Sequence, residues 1–178
     1  MEQVTAMIDW LSIVLRIMHI GAAVFWVGSA AFMFFFLQPS AAALGPQAGP
    51  LMAHLTARRR LPQVIGISAV LTILAGLLLY ADASGGFDAD WITSPAGLGF
   101  TVGGAAAIIA WVLGLVAIGP IVARMGQVSG AVAAGDGPPS PEQAAELQAL
   151  GRRARSLGWV NIILLLIAVV AMAAARYL

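Results

Sequence analysis

The sequence predicts an all-α integral membrane protein, a four-helix bundle with short cytoplasmic helical extensions. Three observations carry that prediction. Of 178 residues, 61% are hydrophobic and only 10% charged, against about 25% charged in ordinary soluble domains, too few to solvate the surface of a folded chain this size. Four apolar runs, near residues 10–37, 61–81, 96–118 and 157–177, each hold about the 20 residues that cross a hydrocarbon core of about 30 Å. The arginines, finally, are concentrated in alternate connections. The whole chain, 1–178, reads as a single transmembrane domain.

Taken in order, residues 1–9 carry Glu2 and Asp9 and no positive charge, so the first run lacks the basic flank of a signal peptide and is expected to remain as a helix. In the connection 38–60, residues 51–60 look like a helical lead-in to the second run, with Pro62 at or near the join. Its Arg58, Arg59 and Arg60 suit anionic lipid headgroups at the inner surface. The connection 82–95 holds Asp82, Asp88 and Asp90 around Gly85 and Gly86 and reads as a solvated acidic turn; Ser94 and Pro95 then cap the third run. Within that run Gly99 and Gly103 form a G-x-x-x-G, a pattern that lets helices approach closely in lipid. The segment 126–139, rich in Gly, Ala and Pro, reads as a flexible turn. After it, Ser140, Pro141 and Gln143 predict a capping box, and Leu147, Leu150, Ala154 and Leu157 form a stripe able to run unbroken into the fourth span.

Charge orients the bundle. The connections 38–60 and 119–156 hold seven arginines, whereas the N-terminal tail and the 82–95 connection hold no Lys or Arg. The bias puts both long loops in the cytoplasm and both termini outside, in a bacterial inner membrane. Arg176 is the exception and can snorkel. Trp10, Tyr80, Trp91 and Tyr177 are expected to form an outer aromatic belt.

Composition removes several chemistries. With no cysteine and no lysine, thiolate and Schiff-base mechanisms are excluded, and no nucleotidase or hydrolase motif occurs. What remains is a polar stripe on the first helix: Asp9, Ser12, Arg16 and His19 follow at spacings of 3, 4 and 3, on one face that is expected to point into the bundle. A histidine in lipid with an arginine one turn toward the surface suits haem b, with His19 as axial ligand and Arg16 meeting a propionate. The other reading of the pair is a structural one, His19 bonded to a neighbouring helix and Arg16 reaching for headgroups. His54 falls on the opposite side of the membrane core from His19, which leaves a five-coordinate haem, a ligand from a second protomer, or Met172, at a depth within a turn or two of His19, as the candidate second ligand. Seven methionines raise copper as an alternative, though they are scattered.

The stretch from Leu15 to Ser29, in which His19 and Gly21 are followed by Trp26 and Gly28, resembles the first-helix signature of the CopD-like integral membrane proteins, a grouping that includes CopD-type copper-resistance proteins, HemJ protoporphyrinogen oxidases and uncharacterised four-helix members. The resemblance covers about 30 residues strongly and the four-span layout weakly. It implies haem b at His19, or copper handling. HemJ-like enzymes pair the first-helix histidine with a lysine in a later helix, and this chain has none; CopD-type proteins have more spans and more membrane His and Met. The chain sits nearest the uncharacterised members. The function expected is therefore electron transfer, or an accessory role in a membrane redox complex, with copper handling and a cofactor-free assembly subunit as alternatives. Expected partners are the bilayer and a redox complex or second copy of the chain, not nucleic acid.

The topology is testable directly. An alkaline phosphatase fusion at the C-terminus should be active and a fluorescent-protein fusion dark; the opposite pattern reverses the orientation.

Overall fold

A computed structural model describes residues 2–135 and 137–178, without the side chains of residues 2–9 and Pro46. Every regular element among them is helical: α1 (Glu2–Phe32), α2 (Gln38–Leu44), α3 (Gly49–Ala53), α4 (Leu61–Ala83), α5 (Ala89–Thr93), α6 (Pro95–Leu113), α7 (Gly119–Ala133) and α8 (Pro141–Ala175). Wider π turns at Met33–Leu37 and Gly114–Ile118 join α1 to α2 and α6 to α7. Both have the same cause. Pro39 and Pro120 cannot donate to the carbonyl four residues back and their rings crowd it. The helix widens instead, so that the Gln38 N–H bonds the Met33 carbonyl and the Gly119 N–H that of Gly114.

Four continuous helices are thus long and apolar enough to cross a membrane: Trp10–Leu44, Leu61–Ala83, Pro95–Ala133 and Pro141–Ala175. The chain is a multi-pass membrane protein. Three of the helices run well past the bilayer at the end where the connecting arginines gather, which we call the arginine-rich end. Bulky apolar side chains cover the outside, among them Ile17 and Val24, which are 68% and 69% exposed. Water would not tolerate that surface, and lipid does.

Packing is pairwise. α1 lies along α4 and α6 along α8, while α4 meets α6 and α1 meets α8. Trp26, Leu165 and five alanines (Ala69, Ala106, Ala107, Ala110 and Ala168) form the central core. Small residues dominate because helices in lipid associate through close backbone approach rather than by hiding apolar area from water. The G-x-x-x-G serves that purpose inside the bundle: Gly99 faces Ala175 of α8, and Gly103 faces Ala168 and Met172.

Several sequence expectations hold in detail. Ser140 accepts the Gln143 N–H while the Gln143 side chain accepts the Ser140 N–H, and α8 runs unbroken from this box through the fourth span. Ser94 caps α6 by accepting the Gly97 N–H at 3.1 Å. In the acidic turn Asp88 caps α5, accepting the Trp91 N–H at 2.9 Å.

Two expectations change. Within 126–139, residues up to Ala133 belong to α7, and Asp136 lies outside the described residues. Gly126 and Gly130 each disfavour a helix by about 1 kcal/mol, but α7 rests on α8 and buries Val128. The lead-in over 51–60 does not merge with the second span. It ends in a π turn at His54–Arg58, and Arg60 adopts a left-handed conformation at φ 51° before α4 starts. Pro62, in the first turn of α4, has no N–H with which to continue the preceding helix. Two of the four expected belt aromatics also pack on the bundle. Tyr80 and Trp91 pack edge to face at 5.3 Å, Trp91 stacks on Phe100, and the Tyr80 hydroxyl meets the Thr101 hydroxyl at 2.6 Å, tying α4 to α6. Trp10 and Tyr177 remain exposed.

Because α8 is continuous, Gly151 occupies a helix interior with open space where a Cβ would lie. Gly151→Ala should stabilise the purified protein by about 1 kcal/mol, read as a raised thermal midpoint in detergent. A lowered midpoint would show that a turn forms there instead.

Candidate functional site

The polar stripe of α1 is divided by the structure. Ser12 donates to Asp82 Oδ2 at 3.2 Å, and the Nδ1 of His19 lies 2.8 Å from the backbone carbonyl of Thr72, so both engage α4. Arg16 is exposed and forms no ion pair among the described residues. The expectation that all four polar residues point into the bundle therefore fails for Arg16, and the reason is geometric. At about 100° per residue, Arg16 stands about 60° around the helix from His19. The face centred on Ser12, Leu15, His19 and Trp26 meets the other helices, with Arg16 at its edge. The side chain of Asp9 lies outside the described residues.

A carbonyl oxygen only accepts, so in this contact Nδ1 must carry the proton and donate. In the neutral ring the lone pair then sits on Nε2. The Thr72 carbonyl is within reach because α4 has a glycine one turn further on. A Cβ built at Gly76 would lie 2.8 Å from His19 Cε1 and 3.0 Å from Nδ1, so the imidazole occupies the space that a larger residue would fill. Thr72 is itself buried, and its hydroxyl donates to the Ser68 carbonyl at 2.8 Å.

The other candidates lie elsewhere. Met172 packs over Gly103 of α6, so the side chains of His19 and Met172 rest against different helices. His54 is exposed in the π turn His54–Arg58, before α4 begins. Thr72, the partner of His19, is eleven residues into α4, about 16 Å along the axis. Arg58, Arg59 and Arg60 are exposed together beside His54 at the arginine-rich end. Among the described residues, no three of His, Asp and Glu converge as a ligand set for a metal ion.

Two features escaped the sequence reading. Gly76 and the Thr72 carbonyl complete the surroundings of His19, and the available signal was depth: in an antiparallel pair, the level of His19 on the first helix falls opposite Gly76 on the second. Asn161, an amide within the apolar stretch of α8, has its Oδ1 buried without a hydrogen-bond partner among the described residues. The singular polarity of Asn161 in its run was the signal.

The closeness of His19 to α4 gives a double-mutant test. Gly76→Ala should cost about 1–3 kcal/mol by crowding the ring and should cost much less in a His19→Ala background, measured by thermal unfolding in detergent. Additive losses would place the ring away from Gly76. Compared with known proteins, the chain matches no family model, no curated protein and no solved structure.

Proposed function

We propose that the chain binds haem b through His19 in the outer half of a bacterial inner membrane, and acts in electron transfer or as an accessory to a membrane redox complex. One observation carries the reading: the Nδ1–H of His19 is held by a backbone carbonyl. That contact is the usual outer support of a metal-ligating imidazole, fixing the tautomer and raising the basicity of the opposite nitrogen.

The number of ligands available favours haem over a bare ion. A copper ion needs several protein donors; no three of His, Asp and Glu converge among the described residues, and the His19 ring rests on α4 while Met172 packs over Gly103 of α6. Haem brings four equatorial nitrogens and asks the protein for one or two. When bound, it supplies a one-electron couple. His19 would hold the iron, with Met172 on a different helix and His54 beyond the far end of α4. The exposed Arg16, one turn toward the surface, is free to meet a propionate and to favour the reduced state by its charge. The outward placement of the site follows from the seven-to-none arginine bias of the connections.

The reading is tested by the absorption spectrum of protein expressed with ample haem supply. The wild type should purify with a Soret band, His19→Ala should insert and lose it, and His54→Ala should keep it. Arg16→Leu should retain a weakened band and a lower midpoint potential, because loss of a nearby positive charge favours the oxidised iron. A colourless wild type ends the haem reading and leaves an assembly subunit whose His19 is a helix-packing residue.

A further inference from the structure

We propose that a cleft between α1 and α8 at the arginine-rich end binds the headgroup of an anionic phospholipid. The cleft is lined by Phe34, Phe35, Gln38, Pro39, Arg155 and Trp159 and has a volume of about 130 Å³. It lies about 22 Å further along the first helix from His19 and does not depend on the haem reading.

Two backbone features build it. The π turn at Met33–Leu37, forced by Pro39, puts one residue too many into the turn, so that the consecutive residues Phe34 and Phe35 both reach Trp159 of α8. Their rings meet the indole edge to face at 5.0 and 5.9 Å. On the other side α8 has a glycine next to Trp159: a Cβ at Gly158 would lie 2.5 Å from Cε2 of Phe34. The helices are thus close at Gly158, and the cleft opens beside that contact toward Gln38, Pro39 and Arg155. π turns recur at binding sites because the extra residue re-aims side chains in this way.

The lining sorts by chemistry into an aromatic floor and a polar mouth. Phe34, Phe35 and Trp159 give an apolar surface of the kind that sits at the boundary of hydrocarbon and headgroups. Arg155 is exposed, and it has neither an ion pair nor a hydrogen bond among the described residues. By contrast Arg124, on the neighbouring α7, is held by Glu146 at 2.7 Å. An unpaired guanidinium over an aromatic floor, with the Gln38 amide on the opposite wall, fits a phosphodiester at the mouth and a glycerol backbone on the rings. The acyl chains would continue over the lipid-facing surface. The Arg155 guanidinium at the mouth repels a cationic headgroup, so the selected ligand is a net anion such as phosphatidylglycerol.

The test is native mass spectrometry of the full chain released from detergent after equilibration with equal amounts of phosphatidylglycerol and phosphatidylcholine. The wild type should retain the anionic lipid in preference, and Arg155→Gln should reduce that preference by about fivefold, the value of one arginine at a membrane surface. Arg153→Gln removes the same charge about 160° around the helix and should leave the preference unchanged. Since Arg155 is exposed, its replacement should leave the fold intact, which an unchanged thermal midpoint verifies. Dibrominated phosphatidylglycerol should quench the wild type more than Trp159→Phe, placing the lipid at the cleft. Equal retention of the two lipids, an equal loss in Arg153→Gln, or displacement of the lipid by millimolar glycerol phosphate would each overturn the proposal, the last by making the occupant a soluble phosphate.

Discussion

Lipid gives apolar helices little reason to associate, so this bundle depends on how closely two backbones can approach. Both helix pairs meet the condition by omitting side chains. Along α6 and α8, Gly99 and Gly103 receive Ala175 and Met172; along α1 and α4, Gly76 receives the His19 ring. The second case has a chemical consequence that the first lacks. Close approach puts a polar ring within reach of a main-chain acceptor, and a group that would be costly to leave unpaired in hydrocarbon is satisfied without any second polar side chain. Packing and candidate chemistry at His19 therefore share one cause, the missing Cβ on α4.

Prolines organise the rest. In water a mid-helix proline costs about 3 kcal/mol and commonly ends the helix. Here the helix widens to a π turn at Pro39 and Pro120 and resumes, and the chain after Pro120 has α8 to lie against. Pro62 behaves differently because it falls at the start of α4, where its missing N–H is no loss, and the strain passes to the left-handed Arg60. Helix continuity is thus decided by where the proline falls relative to the packed part of the helix.

What could be read in the sequence divides along the same line. The spans, the Ser140 and Ser94 caps and the small-residue seam were legible because each depends on neighbours in sequence: hydropathy over one membrane thickness, a hydroxyl three residues before the N–H that donates to it, glycines four apart. The break at Arg60 and the helical course of Gly126 to Ala133 were not legible, since α7 is sustained by burial of Val128 against α8, a tertiary effect. For the candidate site, periodicity turned Ser12 and His19 toward the bundle, where the structure sets both against α4, but it could not resolve the 60° that leaves Arg16 at the edge of the contact. Nor could it supply the Thr72 carbonyl, because main-chain acceptors carry no residue signature.

The fourth span differs mechanically from the first and third. Past Pro141, α8 contains no proline, π turn or left-handed residue over the remainder of its 35 residues, and helices without such features bend only gently. It is therefore a stiff lever about 50 Å long, with one arm in the bilayer and the other standing clear of it beside α7. A torque on the free arm has no hinge at which to dissipate. It would be delivered to the seam where Met172 and Ala175 rest on Gly103 and Gly99, so that a load on one side of the membrane is felt as a sliding of helices on the other.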